Sequence, residues 1–280
     1  MLISRINRTI LTAIIIVAGT VSASGKGAII PGGEIAVGFS ASTIVHQPSR
    51  PLPPLQSILS DEIFEPIFPV ERGFPLASWG SVSERRIFLT LNTNITVGDS
   101  PSKILTADDV VSCLTARARE RWDARWALRG FSGIENFTSG IAGLRAIDER
   151  TIAIDIKEGF NAEIIRRAMI SPALRISTQP SFSVDSGTGP FVPDRGQTDH
   201  RTGRLSCSLT HHAGRPYIER VRLIAYPSID ESILDFGRNN LDALLITSNE
   251  RPVYSGSSRA VPYRIEKVGD ALLVLVVNPA

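Results

Sequence analysis

Apolar residues recur along the chain with two alternating periods, and the switches between them mark out the expected elements. "GEIAVGFS" (33–40) alternates, with Ile35, Val37 and Phe39 on one face, and predicts a strand. The Pro-rich "HQPSRPLPP" that follows is loop. In "LQSILSDEIFEPIF" the positions Leu55, Ile58, Leu59, Ile63 and Phe64 fall at helical spacing, and Pro66 ends the pattern. "RRIFLTLNTNITVGDS" (85–100) predicts a strand and a polar turn. "LTADDVVSCLTARARERW" predicts a helix: Thr106 is placed to cap it, Asp108 and Asp109 suit the positive end of its dipole, and Val110, Leu114 and Ala118 make its apolar face.

Beyond it, "IAGLRAIDERTIAIDIKEG" (141–159) predicts a hairpin turning at Asp148 to Arg150, and "NAEIIRRAMISPAL" a helix closed by Pro172. "SGTGPF" (186–191) is a turn leading into a strand, since Gly permits positive φ or close backbone approach and Pro190 fixes φ. Strands are expected through "GRLSCSLT" and "IERVRLIAYP", then a helix capped by Ser228 or Asp230, a strand at 243–246, and an apolar strand in "ALLVLVVNPA".

Residues 1–23 follow a different logic. Arg5 and Arg8 precede an apolar run from Ile10 to Ala18, and Val21 and Ala23 make a cleavable ending, the layout of a secretory signal peptide. The run falls short of the roughly 20 residues of a membrane span, although an uncleaved anchor is the alternative. Removing it takes away two of the 30 basic side chains and none of the 28 acidic ones, leaving a formally neutral chain destined for an extracytoplasmic compartment. Neutrality argues against nucleic-acid binding, which relies on a basic surface. Cys113 and Cys207 are the two cysteines; such a compartment allows them to pair, but nothing in their spacing requires it.

Candidate chemistry is sparse. No Cys-x-x-Cys, His-Glu-x-x-His or phosphate-binding glycine loop is present, and no serine sits on a Gly-x-Ser-x-Gly elbow, so no catalytic residue is assigned; a secreted hydrolase would need a reactive serine. His211 and His212 are adjacent, and on a strand end their rings would point to opposite faces, so no metal is assigned to them. Arg117, Arg121, Arg125 and Arg129 recur every four residues beside Trp122 and Trp126. That series reads as an anion-binding or membrane-surface stripe, or else as a solvated helix face with both tryptophans tucked inward; Glu120 and Asp123 dilute its charge and favour the second.

Five segments in order carry a resemblance: "GGEIAVGFS", "DEIFEPIF", "LTADDVVSCLTA", "SGTGPF" and "HHAGRPYIERVRLIAYPSIDESILDFGRNNLDALLI". Together they resemble the extracytoplasmic solute-binding proteins of the peptide/nickel family of ABC importers. The resemblance implies an α/β, periplasmic-binding-protein-like lobe formed by residues 24–64 and 172–270, with an inserted α+β subdomain at 65–171. Residues 271–280 would begin the crossover to a second lobe that is missing from this chain. It also implies a non-enzymatic protein, without cofactor, that binds a peptide or similar small solute and delivers it to an ABC permease in the membrane. The expected ligand contacts are Ser42, Thr43 and His46, with Thr188 secondary to an architectural role for its turn. Cys113 would lie in the insertion and Cys207 in the main lobe, which argues against a disulfide. "VHQPSR" after the first strand and "LLVLVVNPA" at the end depart from the family pattern. A receptor or scaffold fragment recruiting a partner chain through an exposed strand edge is the alternative function.

Overall fold

The computed structural model describes residues 32–41, 63–68, 75–83, 85–98, 100–178, 187–194, 201–214, 216, 218–247, 264–267 and 273–277. Thirteen strands among these form three sheets. The largest has the order β12-β13-β11-β1-β10-β9-β8, with β1 Glu34–Ser40, β8 Phe191–Pro193, β9 Thr202–Cys207, β10 Arg220–Tyr226, β11 Ala243–Thr247, β12 Arg264–Lys267 and β13 Leu273–Val277. Strand β1 runs parallel to both β10 and β11, and the outer pairings are antiparallel. The second sheet, β2-β3-β7-β6, is wholly antiparallel and uses β2 Ala77–Ser83, β3 Arg86–Leu91, β6 Leu144–Ala146 and β7 Thr151–Asp155. A ribbon of β4 Thr96–Val97 and β5 Ser100–Ile104 completes the set.

Alternation along β1 explains how the large sheet is covered. Val37 and Phe39 belong to the principal core, whereas Ala36 faces a smaller cluster with Tyr226, Phe236, Leu241 and Leu244. Helix α4, Ile229–Gly237, lies over that second face, and its N-cap is Ser228, whose hydroxyl accepts the Glu231 N–H at 3.3 Å. Strand β13 pairs with β11 on one side and β12 on the other. Residues 273–277 are thus inner members of the main sheet among the described residues.

The smaller sheet packs with helix α1, Ala107–Glu120, and helix α3, Ala162–Met169. Thr106 and Asp109 form a full capping box at the start of α1: the hydroxyl accepts the Asp109 N–H at 3.2 Å, and the carboxylate accepts the Thr106 N–H at 3.0 Å. Val110, Leu114 and Ala118 are all fully buried, as their spacing predicts. The hairpin turn is held by Asp148, which accepts the N–H groups of Arg150 and Thr151, each at 2.8 Å; these bonds keep its carboxyl below the usual range. One continuous hydrophobic cluster reaches from Val37 and Phe39 to Leu114 and Ile154, so the two sheets share a core.

The arginine series fits neither sequence reading. Arg121 leaves helical geometry (φ −127°, ψ 123°), which separates α1 from a short helix α2, Trp122–Ala127. Ala124 and Leu128 then face inward, putting residues 122 and 126 on the opposite face: Trp122 is 72% and Trp126 64% exposed. Arg117 is fully buried, donating from Nη2 to the Arg175 carbonyl at 3.3 Å, and burial pushes its guanidinium down to about 9. Arg121 is also buried and chelates Asp123 through Nε and Nη2. Arg125 instead lies 3.8 Å over the Phe137 ring and Arg129 4.5 Å over Trp126.

Candidate functional site

Two ends of the seven-stranded sheet differ in what they offer. In open α/β sheets ligands bind beyond the carboxyl ends of the parallel strands, because there the backbone diverges and leaves a crevice. Here those ends are Ser40 in β1, Tyr226 in β10 and Thr247 in β11, with β1 in the middle. The Ala41 N–H continues the ladder to the Tyr226 carbonyl at 2.9 Å, and the Tyr226 hydroxyl donates to Asp235 Oδ2 at 2.8 Å on α4. Asp242 Oδ2 accepts the Ala36 N–H at 2.6 Å, tying the approach to β11 onto β1. Ser42, Thr43 and His46 follow directly on from this end but lie outside the described residues.

Thr188 belongs to the other end. Strand register aligns Phe191 with Cys207, and the Cys207 N–H donates to the Glu219 carbonyl beside Gly33, so the 187–190 turn sits level with the start of β1. Thr188 is 1% exposed, and its hydroxyl has no hydrogen-bond partner among the described residues. Gly187 is there for close approach: its backbone is not left-handed, but a Cβ would stand 2.0 Å from the Ile63 carbonyl oxygen. The same turn receives the Gly98 N–H at the Gly187 carbonyl (2.7 Å) and donates the Gly189 N–H to Ile63 (2.9 Å).

A cluster that the sequence reading did not foresee lies at this amino end. Glu65, two residues past Ile63, meets both histidines: His211 Nε2 is 3.5 Å from Oε1 and His212 Nε2 is 3.8 Å from Oε2. The imidazoles stand 4.2 Å apart between centroids, with planes at 53°. The argument that adjacent rings must diverge fails because residues 208–214 form turns, not strand; the Thr210 carbonyl is held by the Thr96 hydroxyl at 2.6 Å, and Gly214, at φ +94°, closes back on the His211 carbonyl at 2.9 Å. The sequence signal was the "HH" pair itself, but the partner, 146 positions away at Glu65, is a product of tertiary structure. The two cysteines are both buried and free. Among the described residues no helix is long and apolar enough to cross a membrane.

No protein-family model matches the sequence, and no curated protein matches it. Solved structures do. The binding protein MoaA from Agrobacterium tumefaciens R10, in complex with mannopinic acid, is similar over 83% of this chain and 48% of its own, at 16% identity and a TM-score of 0.65. The periplasmic binding protein DppA of Helicobacter pylori, associated with an ABC transporter and in complex with the peptide STSA, is similar over 85% and 51%, at 15% identity and a TM-score of 0.64. A nickel ABC transporter protein from Bacillus halodurans is similar over 83% and 46%, at 20% identity and a TM-score of 0.60. The chain spans about half the length of each. These neighbours bear the names of binding and transport proteins, and the present chain shares their α/β, periplasmic-binding-protein-like fold.

Proposed function

We propose that this chain is the solute-binding component of an ABC importer and takes a peptide or a similar small solute beyond the carboxyl ends of β1, β10 and β11. The observation that carries the reading is the parallel β10-β1-β11 arrangement within a sheet similar to those of proteins solved with a peptide and with mannopinic acid. Ser42, Thr43 and His46, following directly on from β1, are the proposed contacts. Thr188 is left out of them, being buried at the other end. Residues 1–23 would direct the protein out of the cytoplasm, residues 65–171 would form a subdomain inserted in the main lobe, and an ABC permease would receive the solute. No catalytic role is proposed.

Affinity of this chain alone is proposed to be weak, because it matches only about half of each neighbour and a solute there would be enclosed on one side. Calorimetric titration with di- to pentapeptides should give saturable binding with dissociation constants of roughly 1 mM, about −4 kcal/mol. Absence of saturable heat for every peptide overturns the binding reading, and micromolar binding overturns the one-sided cleft. The scaffold alternative is less well supported: β12 carries Arg264, Glu266 and Lys267 and β8 contains Pro193, features that blunt pairing at sheet edges. Light scattering that shows mass rising with concentration would restore it.

A further inference from the structure

The Glu65, His211 and His212 cluster lies away from the proposed solute end and needs its own account. Its side chains are only 11%, 6% and 7% exposed, so a carboxylate and two imidazoles are held together out of water. Buried polar groups normally find hydrogen bonds. Here Glu65 Oε2 and His211 Nε2 have no hydrogen-bond partner among the described residues. The separations of 3.5 and 3.8 Å are too long for a charge-assisted N–H···O bond, which closes to about 2.7–2.9 Å. They suit a different geometry. Two donors each about 2.0–2.1 Å from a tetrahedral ion stand roughly 3.3–3.4 Å apart; the His211 spacing is close to such an edge, and the His212 spacing, to the other carboxylate oxygen, exceeds it by a few tenths of an ångström. One ligand atom from each residue can be chosen with all three within 4.8 Å of one another.

We propose that Glu65, His211 and His212 bind a divalent transition-metal ion of the zinc class, with one position left for water or another oxygen donor. Two neutral imidazoles and one carboxylate suit zinc, cobalt or nickel better than the oxygen-seeking magnesium or calcium. The ion would neutralise the buried carboxylate and supply the missing partners. It would also clamp residue 65 to the turn after β9, next to the point where the Thr96 hydroxyl of β4 already holds the Thr210 carbonyl. The His211 Nδ1 faces the Ala213 N–H at 3.4 Å, a contact at the weak limit that coordination through Nε2 would give up.

The test uses the full chain, stripped with a chelator and then titrated with Zn²⁺ and, separately, with Co²⁺ in the absence of any solute. One ion per chain, the visible bands of four-coordinate Co²⁺ and a higher thermal midpoint on loading are expected. Glu65→Gln, His211→Asn and His212→Asn should each weaken binding about 100-fold or more, since even outer-shell changes cost 10–100-fold, while Glu163→Gln, at an exposed carboxylate on α3, should leave it unchanged. Failure of the wild-type chain to bind one ion overturns the site, as does undiminished binding by the three variants or equal loss in Glu163→Gln. The wild-type stoichiometry and Co²⁺ spectrum depend on no variant, so misfolding of a variant cannot shield the proposal. Peptide calorimetry is a separate measurement, and failure of either leaves the other standing.

Discussion

The amino and carboxyl ends of the seven-stranded sheet are built from different materials. At the amino end, main chain meets main chain: Gly98 to Gly187, Gly189 to Ile63, Ser208 to Pro190 and Ile176 to Glu65, all between 2.7 and 2.9 Å. Toward the carboxyl end one main-chain bond, Ala41 to Tyr226, extends the ladder, and the contacts beneath it run through side chains, from Tyr226 to Asp235 and from Tyr226, Leu241 and Leu244 around Gly38. A backbone joint fixes position and tolerates no added atom, whereas a side-chain joint can give. The amino end is therefore joined through main chain to the β4-β5 ribbon and to residues 63–65, and the carboxyl end is the one at which a solute is proposed to bind.

Adding a methyl group at each end should expose that contrast. In Gly187→Ala the new Cβ would fall 2.0 Å from the Ile63 carbonyl oxygen and 2.9 Å from its carbon, neither of which can move without breaking the joint. Destabilisation of roughly 3 kcal/mol, the upper part of the range for overpacking, is expected in urea denaturation. A loss under about 1 kcal/mol would show that the amino end is not the rigid one.

Gly38→Ala is the matching change near the other end. Its Cβ would meet Leu241 Cδ1 at 2.5 Å and Tyr226 Cε2 at 3.2 Å, both far ends of side chains that can turn aside. The expected cost is smaller, about 1–2 kcal/mol by the same measurement. Equal costs at the two glycines would remove the distinction between the ends.

Much of this was legible in the sequence wherever a local rule decides the outcome. The Thr106 cap and the Val110, Leu114 and Ala118 face depend on neighbours within a few positions, and each formed as expected. Failures came where one residue resets the phase or the partner lies far along the chain. Arg121 breaks the helix, so a four-residue period carried across it assigned Trp122 and Trp126 to the wrong face. Strand alternation applied to His211 and His212 failed because residues 208–214 turn, and Glu65 is not a sequence neighbour. The assignment of residues 271–280 to a crossover came from resemblance and not from a local pattern, and strand β13 within them pairs with β11.

The smallest expected effect concerns the side-chain joint at the carboxyl end, and pH separates it from simple packing. Tyr226→Phe keeps the ring and removes the hydroxyl that donates to Asp235 Oδ2 at 2.8 Å. Because the Asp235 side chain is 29% exposed, the loss at neutral pH should be about 1 kcal/mol, below the range for a buried charged bond. The hydrogen bond from Tyr226, followed by that from Asn240, lowers the Asp235 carboxyl below its ordinary value. A carboxyl depressed in the folded state stabilises fully above its unfolded value near 3.9 and loses that contribution as pH falls through the lower folded value. Burial, then the bond to Asp235, raises the Tyr226 phenol, so its contribution is complete below about 10 and fades as pH rises beyond that. The difference in unfolding free energy between wild type and Tyr226→Phe should therefore be flat from about pH 5 to 9 and shrink on both sides. A difference that stays constant from pH 3 to pH 10.5 would mean that the hydroxyl acts through packing alone, and the carboxyl end would then owe its hold to Leu241, Leu244 and Phe236.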